Sequence, residues 1–138
     1  MCGILTTKRY TCATVYVDQA SKLGFVWILK TIAAKDTVEG KEAFEKYARN
    51  RGVQIQNYHA DNGIFKSKAW VLDCQISRQM ITYAGVGAHH QNGVAEQIIR
   101  VLQDLTRTQF IHANQGWPAA INAHLWPYAL ILACAACN

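Results

Sequence analysis

Two short runs of β-branched and aromatic residues near the start of the chain constrain its fold more than any other feature. Residues 9–17 and 25–29 have this composition, and the polar segment 18–24 between them ends in a glycine. Val, Ile, Thr and aromatic side chains favour strands, and a connection this short joins antiparallel neighbours. We therefore predict that the two runs pair as antiparallel strands.

The remaining segments alternate between helical and extended patterns. Residues 35–50 have helical spacing, with Asp36 or Thr37 as the predicted N-cap and Gly52 as the stop signal. Strands followed by helices that alternate with further strands predict an α/β fold with a mixed sheet. The other predicted elements are an extended run at 53–58, a helix at 66–79, a strand at 80–84, and a helical segment at 117–136 that is kinked or divided at Pro127.

A long helix is predicted from residue 92 to about residue 112, after a glycine-bearing loop at 85–91. One face of this helix is apolar and the other is polar, so one is expected to pack on the core while the other is available for chemistry. The apolar face consists of Ala95, Ile98, Leu102 and Leu105, and the polar face of Glu96, Arg100, Gln103 and Arg107.

Composition limits the class of protein. The 138 residues, 51% hydrophobic and 17% charged, suit one globular domain covering residues 1–138. Lys and Arg outnumber Asp and Glu by 14 to 9, and the net charge of +5 favours a polyanionic partner. Five scattered cysteines without a signal-peptide pattern indicate an intracellular protein that is not secreted, and the apolar run at 128–137 is too short to span a membrane.

Two carboxylates stand out as a candidate metal site. Asp61 ends an extended run, Glu96 falls in the first turn of the long helix, and thirty-four residues lie between them. Mg²⁺ prefers hard oxygen ligands and often uses one or two protein carboxylates, so this pair suits one ion; a two-metal site needs a further bridging carboxylate. Asp61-Asn62-Gly63 is also an ordinary turn signal, and Glu is common in a first helical turn, so the residues alone leave both interpretations open.

Other polar side chains have weaker signals. Lys66, Lys68, Arg100 and Arg107 suit phosphate contacts or plain solvent exposure. Asn92 suits the N-cap of the long helix. Adjacent His89 and His90 favour a polar loop contact over zinc, Cys134 and Cys137 favour packing in a helix, and Trp70, Trp117 and Trp126 favour core packing.

Several of these motifs together resemble a known family. The segment from His59 to Phe65 reads His-Ala-Asp-Asn-Gly-Ile-Phe, the segment from His90 to Glu96 reads His-Gln-Asn-Gly-Val-Ala-Glu, and Arg100 follows. In this pattern and spacing the chain resembles the catalytic core of retrotransposon integrases of the copia type. The resemblance continues at residues 6–18, 42–44 and 125–130 and so covers nearly the whole chain.

The resemblance implies a ribonuclease H-like fold, in which a five-stranded mixed sheet is flanked by helices. Such cores use an Asp, Asp, Glu triad with Mg²⁺ or Mn²⁺ to process element ends and join them to target DNA. It implies Asp61 as the second catalytic acid and Glu96 as the third, both ligating metal. Lys66, Asn92 and Arg100 are the DNA-binding residues that it implies.

The resemblance also leaves a gap. The first acid belongs on a strand ahead of residues 10–17, so we expect the first, central strand to be missing and the domain to be incomplete at its N-terminus. Asp18 aligns with the end of the next strand and is not accepted as a substitute. Gln97 stands where the family favours a basic residue.

The resulting hypothesis is an N-terminally truncated integrase core of a retroelement that binds DNA and is impaired in metal-dependent polynucleotidyl transfer. The alternative is a non-catalytic remnant that binds nucleic acid or oligomerises, and a nuclease that hydrolyses without joining fits the same residues. The expected partners are element ends, target DNA and a second copy of the chain, and the resemblance implies a nuclear location.

Overall fold

Strands and helices alternate along the chain in the computed structural model, which describes residues 9–85 and 92–138. This arrangement confirms the predicted mixed α/β fold. The elements are β1 (Cys12–Val17), β2 (Gly24–Leu29), α1 (Ala34–Arg49), β3 (Asn57–Ala60), α2 (Lys68–Ile76), β4 (Met80–Tyr83), α3 (Gly93–Gly116) and α4 (Trp126–Cys137), with short 3-10 turns at Ile64–Lys66 and Ala123–Leu125.

The described residues group into two compact units. The first contains residues 9–30 and 94–138, and the second contains the rest. Within the described residues the strands form two two-stranded sheets, β1 with β2 and β3 with β4. The single domain predicted from chain length stays a prediction.

In the first unit, β1 and β2 form the predicted antiparallel pair, in register from Cys12 opposite Leu29 to Val17 opposite Gly24. The connecting turn is held by Asp18, whose carboxylate accepts hydrogen bonds from the Ser21 backbone N–H at 2.7 Å and the Ser21 hydroxyl at 2.6 Å. The side-chain hydrogen bond is the larger of the two effects by which Ser21 lowers the pKa of Asp18. A polar side chain thus stabilises the turn between the two strands.

An apolar cluster forms the core of the first unit. Ile98 and Leu105 of α3 pack against it, as the predicted helical spacing requires. Pro127 lies in the first turn of α4, where its missing N–H costs no helical hydrogen bond, so the predicted division falls at the start of this helix. Buried members of the cluster are Ala13, Leu102, Leu130, Ala133 and Cys134.

In the second unit, β3 and β4 are parallel, in register from Asn57 opposite Met80 to Ala60 opposite Tyr83. Each strand follows a helix, α1 before β3 and α2 before β4. The predicted strand at residues 80–84 and helix at 66–79 are therefore present, and the extended run predicted at 53–58 forms a strand only from Asn57 onward.

The start of α1 differs from the prediction. The helix begins at Ala34 with Ala33 as a cap that provides no side-chain hydrogen bond, so Asp36 and Thr37 are not the N-cap. Thr37 is buried, and its hydroxyl donates to the Ala33 carbonyl at 3.0 Å, a bond that is made inside a helix rather than ahead of one. The predicted stop is confirmed, because Gly52 has a positive φ of 77° and its N–H donates to the Arg49 carbonyl at 2.9 Å.

The tryptophans divide between core and surface. Trp70 is 1% exposed and Trp126 is partly buried, but Trp117 is 70% exposed, so its predicted core position is wrong. Residues 118–120 form a turn and residues 121–122 are irregular, so the helical spacing that would bury Trp117 is lost. No described helix is both long enough and apolar enough to cross a membrane.

Candidate active site

Asp61 lies at the carboxyl end of the parallel strands in the second unit. It directly follows Ala60, the last residue of β3, and the Ala84 N–H donates to the Ala60 carbonyl at 2.9 Å, so both strands end at this point. Ligands of open α/β sheets bind outside the carboxyl ends of the strands. The side chain of Asp61 is exposed at that edge.

The turn that holds Asp61 is built by its own carboxylate. Asp61 Oδ1 accepts a hydrogen bond from the Gly63 N–H at 3.0 Å, which is the geometry of an Asx turn. Among the described residues, Oδ2 accepts no hydrogen bond and neither oxygen is in an ion pair. The ordinary turn interpretation is therefore correct, and it is compatible with a metal ligand because one oxygen stays available.

Asn62 connects this turn to the end of β4. Its side-chain Nδ2 donates to the Ala84 carbonyl at 2.6 Å. The Tyr83 hydroxyl donates to the Phe65 carbonyl at 2.9 Å, which fastens the loop at a second point. Burial raises the pKa of Tyr83, so the hydroxyl remains protonated and able to donate. These contacts tie the loop around Asp61 to the end of β4.

Lys66 lies in the 3-10 turn that follows Asp61, and its side chain is exposed. Its Nζ lies over the face of the Tyr83 ring, 5.1 Å from the ring centroid, which is a cation–π contact. Phe65 of this loop packs edge to face on Trp70 of α2, with ring centroids 5.0 Å apart, and this contact anchors the loop on α2. The predicted DNA-binding cation thus belongs to the same loop as the predicted catalytic acid.

Glu96 lies in the first turn of α3, as predicted, and is partly buried. Arg100 is exposed one turn further on. Leu102 of the same helix is 1% exposed, which confirms that the apolar face packs inward. Asn92 directly precedes α3, and its role as N-cap stays a prediction.

The predicted site residues belong to two different units. Asp61 and Lys66 share the loop after β3 in the second unit, whereas Glu96 and Arg100 share α3 in the first. Within the described ranges, no three His, Cys, Asp or Glu side chains form a group that could hold a metal ion. A metal shared by Asp61 and Glu96 therefore remains a prediction. His89 and His90 lie outside the described residues.

Three residues at the carboxyl edge were missed by the sequence patterns. Asn62 and Tyr83 fasten the Asp61 loop, and the His59 ring Nδ1 lies 2.9 Å from the Thr82 hydroxyl across the strand pair. Asn62 looked like turn chemistry and Tyr83 like an ordinary strand residue. Their partners lie 22 and 18 residues away in the sequence, so no local pattern marks them.

Of the two C-terminal cysteines, Cys134 packs in the core as predicted, whereas Cys137 does not. Cys134 is buried in the apolar cluster, and burial raises the pKa of its thiol. Cys137 is exposed, and both are free thiols. A buried, protonated thiol is a poor metal ligand and a poor nucleophile.

Comparison with known proteins places the fold. No protein-family model and no curated protein matches the chain. Among solved structures, the chain is similar to the simian T-cell lymphotropic virus intasome in complex with PP2A regulatory subunit B56 gamma, with a TM-score of 0.72, 15% identity, and coverage of 93% of this chain and 44% of that one. The chain thus spans somewhat less than half the length of that protein.

Two isolated integrase domains are similar over more of their own length. The HTLV-2 integrase catalytic core domain in complex with magnesium, in its trimeric form, has a TM-score of 0.66 and 18% identity over 94% of this chain and 75% of that one. The catalytic core domain of BIV integrase has a TM-score of 0.62 and 20% identity over 88% of this chain and 71% of that one. The chain has the fold of a retroviral integrase catalytic core, a ribonuclease H-like fold.

Proposed function

We propose that this chain is an integrase-core-like domain of a retroelement of the copia type, which binds DNA and supports metal-dependent polynucleotidyl transfer. Asp61 and Glu96 are its catalytic acids, and Lys66, Asn92 and Arg100 contact DNA. The chain by itself transfers strands poorly, because a two-metal site needs a further bridging carboxylate and no group of three ligating side chains occurs among the described residues.

The observation that carries this proposal is the position of Asp61. Its carboxylate is exposed at the carboxyl end of two parallel strands, in a turn that occupies one oxygen and leaves the other available. A functional carboxylate at this end of a ribonuclease H-like sheet is well placed for a ligand. Hydrogen bonds made by Asn62 and Tyr83 hold this turn against the end of β4.

The donor chemistry of the two acids fits a divalent cation. Carboxylate oxygens are the hard ligands that Mg²⁺ and Mn²⁺ accept, with water and phosphate oxygens in the remaining positions. Asp61 and Glu96 would hold the ion. When bound, such an ion activates a water or hydroxyl nucleophile and stabilises the leaving oxygen. The HTLV-2 core was solved with magnesium, which supports the choice of metal.

The charge of the chain supports a nucleic-acid substrate. The net charge of +5 favours a polyanion. Lys66 follows Asp61 in the same loop, Arg100 follows Glu96 in α3, and both cationic side chains are exposed and able to contact phosphates. Self-association and a nuclear location also belong to this proposal. Sedimentation of the chain with and without DNA tests the first, and the distribution of a tagged chain between nucleus and cytoplasm tests the second.

The central test is a strand-transfer assay on the 138-residue chain with Mg²⁺ or Mn²⁺. We expect weak product that requires metal and is lost in Asp61→Asn and Glu96→Gln. Asp104→Asn is the matched control, since it removes an exposed carboxylate from α3 and should leave the product unchanged. Product that persists in Asp61→Asn would disprove the catalytic assignment. Activity equal to that of a three-acid core would disprove the impairment.

A non-catalytic DNA-binding protein is the second candidate, and the lack of a three-acid group among the described residues favours it. This candidate requires basic surface but neither carboxylate. DNA binding that depends on salt, is unchanged by a chelator, and is unaffected by Asp61→Asn and Glu96→Gln would support it, provided that no strand transfer is seen.

A further inference from the structure

The amino end of the β3–β4 strand pair carries a group of exposed cations. α1 leads into β3 and α2 leads into β4, and because the strands are parallel, both connections lie at the same end, opposite Asp61. Two hydrogen bonds join the connections: Gln79 Nε2 donates to the Ile55 carbonyl at 3.0 Å, and the Met80 N–H donates to the Gln56 carbonyl at 2.9 Å. We call this surface the basic edge. Its cations are Lys46, Arg49, Arg51 and Arg78.

Little negative charge opposes the basic edge. All four cationic side chains are exposed, and no Asp or Glu occurs in residues 46–60 or 74–85. Arg49 lies 3.7 Å from Glu45, but Glu45 is only 12% exposed and forms a closer pair with Lys41 at 2.8 Å. Among the described residues, Lys46, Arg51 and Arg78 have no ion-pair partner. Among the described residues of the second unit, the edge therefore has a net positive charge.

Two arginines on this edge are held by the backbone or by packing. The guanidinium of Arg51 stacks on Tyr47, 3.6 Å from the ring centroid, with its Nη1 donating to the Tyr47 carbonyl at 3.3 Å. Arg78 has a positive φ of 54° at the turn after α2, a position where glycine is the usual residue. Residues other than glycine rarely adopt this left-handed conformation, so an arginine at this position indicates a role for its side chain.

From this arrangement we infer that the basic edge is a second nucleic-acid contact surface that binds the phosphate backbone. Three of its four cations are arginines, whose planar guanidinium matches phosphate oxygens with two parallel hydrogen bonds. The surface reads no base sequence, since phosphate contacts position a protein without specifying a site. It lies at the other end of the strands from the proposed metal ligand, so it goes beyond the proposed function.

Titration of a fluorescent DNA duplex in the presence of a chelator tests this inference. Each phosphate contact contributes about 0.9 to the slope of log affinity against log salt, so Arg49→Gln combined with Arg78→Gly should lower the slope by about 2. Equivalently, the ratio of affinities at about 50 mM and about 200 mM salt should shrink roughly tenfold. Glycine suits the backbone of residue 78, and an exposed pair such as that of Arg49 with Glu45 contributes little to stability, so the thermal midpoint should change little and lost binding would not reflect unfolding.

Lys30→Gln combined with Lys35→Gln is the matched control. This control also removes two positive charges, but from exposed lysines outside the basic edge, and it should alter the slope much less. Equal losses in both double variants would overturn the inference, because net charge alone would then explain binding. The inference would also be overturned if the duplex did not bind and an acidic peptide bound instead. Ile76 and Met80, which are exposed beside Arg78, would then provide the apolar contacts to that peptide. The titration contains a chelator and measures binding alone, so its result is independent of strand transfer.

Discussion

Both units have buried apolar side chains, but among the described residues only the second unit also encloses a charged one. The first has an apolar cluster that includes Leu102 and Leu130, each 1% exposed. The second has a lysine inside: Lys41 is also 1% exposed, and its Nζ donates to Asp73 at 2.5 Å and pairs with Glu45 at 2.8 Å. Apolar packing is non-directional, whereas hydrogen bonds to a buried cation fix which atoms must meet.

The lysine network joins most elements of the second unit. Burial alone would lower the pKa of Lys41, but hydrogen bonds and charge interactions with Asp73 and Glu45 outweigh it and raise the pKa. Glu45 Oε1 also accepts from the Tyr58 hydroxyl at 3.0 Å and from Gln79 Nε2 at 2.7 Å. Through these contacts α1, α2, β3 and the residue before β4 are held in one arrangement. The strand ends that position Asp61 depend on it.

Removing the buried cation should give the largest effect. Lys41→Ala leaves two carboxylates without their partner, and breaking a buried pair in this way costs about 3–5 kcal/mol of unfolding free energy. Urea unfolding measures the change. Lys35→Ala is the control, because Lys35 has a side chain that is 85% exposed and should change stability by less than about 0.5 kcal/mol. A loss below about 1 kcal/mol for Lys41→Ala would show that the network contributes specificity without stability.

In the first unit, Leu102→Ala should have the next largest effect. It removes a fully buried side chain and leaves a cavity between α3 and its neighbours, which costs about 2–5 kcal/mol. Val101→Ala is the matched control, since Val101 is 40% exposed on the same helix and its truncation should cost much less. If the two substitutions were equally mild, the apolar cluster would not be the main source of stability in this unit.

Sequence patterns reveal one of these interiors far better than the other. The spacing of Ile98, Leu102 and Leu105 predicts the inward face of α3. The β1–β2 strand pair of the same unit is predicted equally well. Lys41 looked like one more charge on the polar face of α1, because its partner Asp73 is 32 residues away and no local spacing relates them. The same reason hides the role of Asn62. The position of Asp61 at a strand end was predictable. Its predicted pairing with Glu96 depends on tertiary structure and stays a prediction.

Acid should distinguish the network from the hairpin turn of the first unit. Burial alone would raise the pKa of Glu45, but hydrogen bonds from Lys41 and Gln79 outweigh it and lower the pKa below its ordinary value of 4.5. Its contribution to stability is therefore present above about pH 4.5 and lost as the pH falls through the lowered pKa. The raised pKa of Lys41 gives the opposite limit: its contribution is present below pH 10.5 and is lost as the pH rises through the raised pKa.

Unfolding measured from about pH 3 to pH 7 tests the acid limb. Glu45→Gln removes the titrating group, so this variant should lose less stability below about pH 4.5 than the unmodified chain does. The stability that it retains at low pH should be smaller than the loss caused by Lys41→Ala. Asp18→Asn is the comparison in the first unit: Asp18 also has a lowered pKa, but it is at a hairpin turn near solvent, where screening weakens the effect. An acid limb that Asp18→Asn flattens more than Glu45→Gln would contradict the assignment to the network.

The smallest effect tests whether single hydrogen bonds at the edge of the second unit act locally. Asn62→Ala removes the donor to the Ala84 carbonyl and should cost about 1 kcal/mol, the usual net value of one hydrogen bond. Asn57→Ala, at an exposed position at the start of β3, is the control for the change of residue type. Because Asn62 fastens the turn that presents Asp61, Asn62→Ala should also weaken Mn²⁺ binding, measured by paramagnetic resonance, while Asn57→Ala should not. Equal metal affinity in the two variants would mean that the Asx turn alone positions the carboxylate, and the fastening to β4 would then matter for stability only.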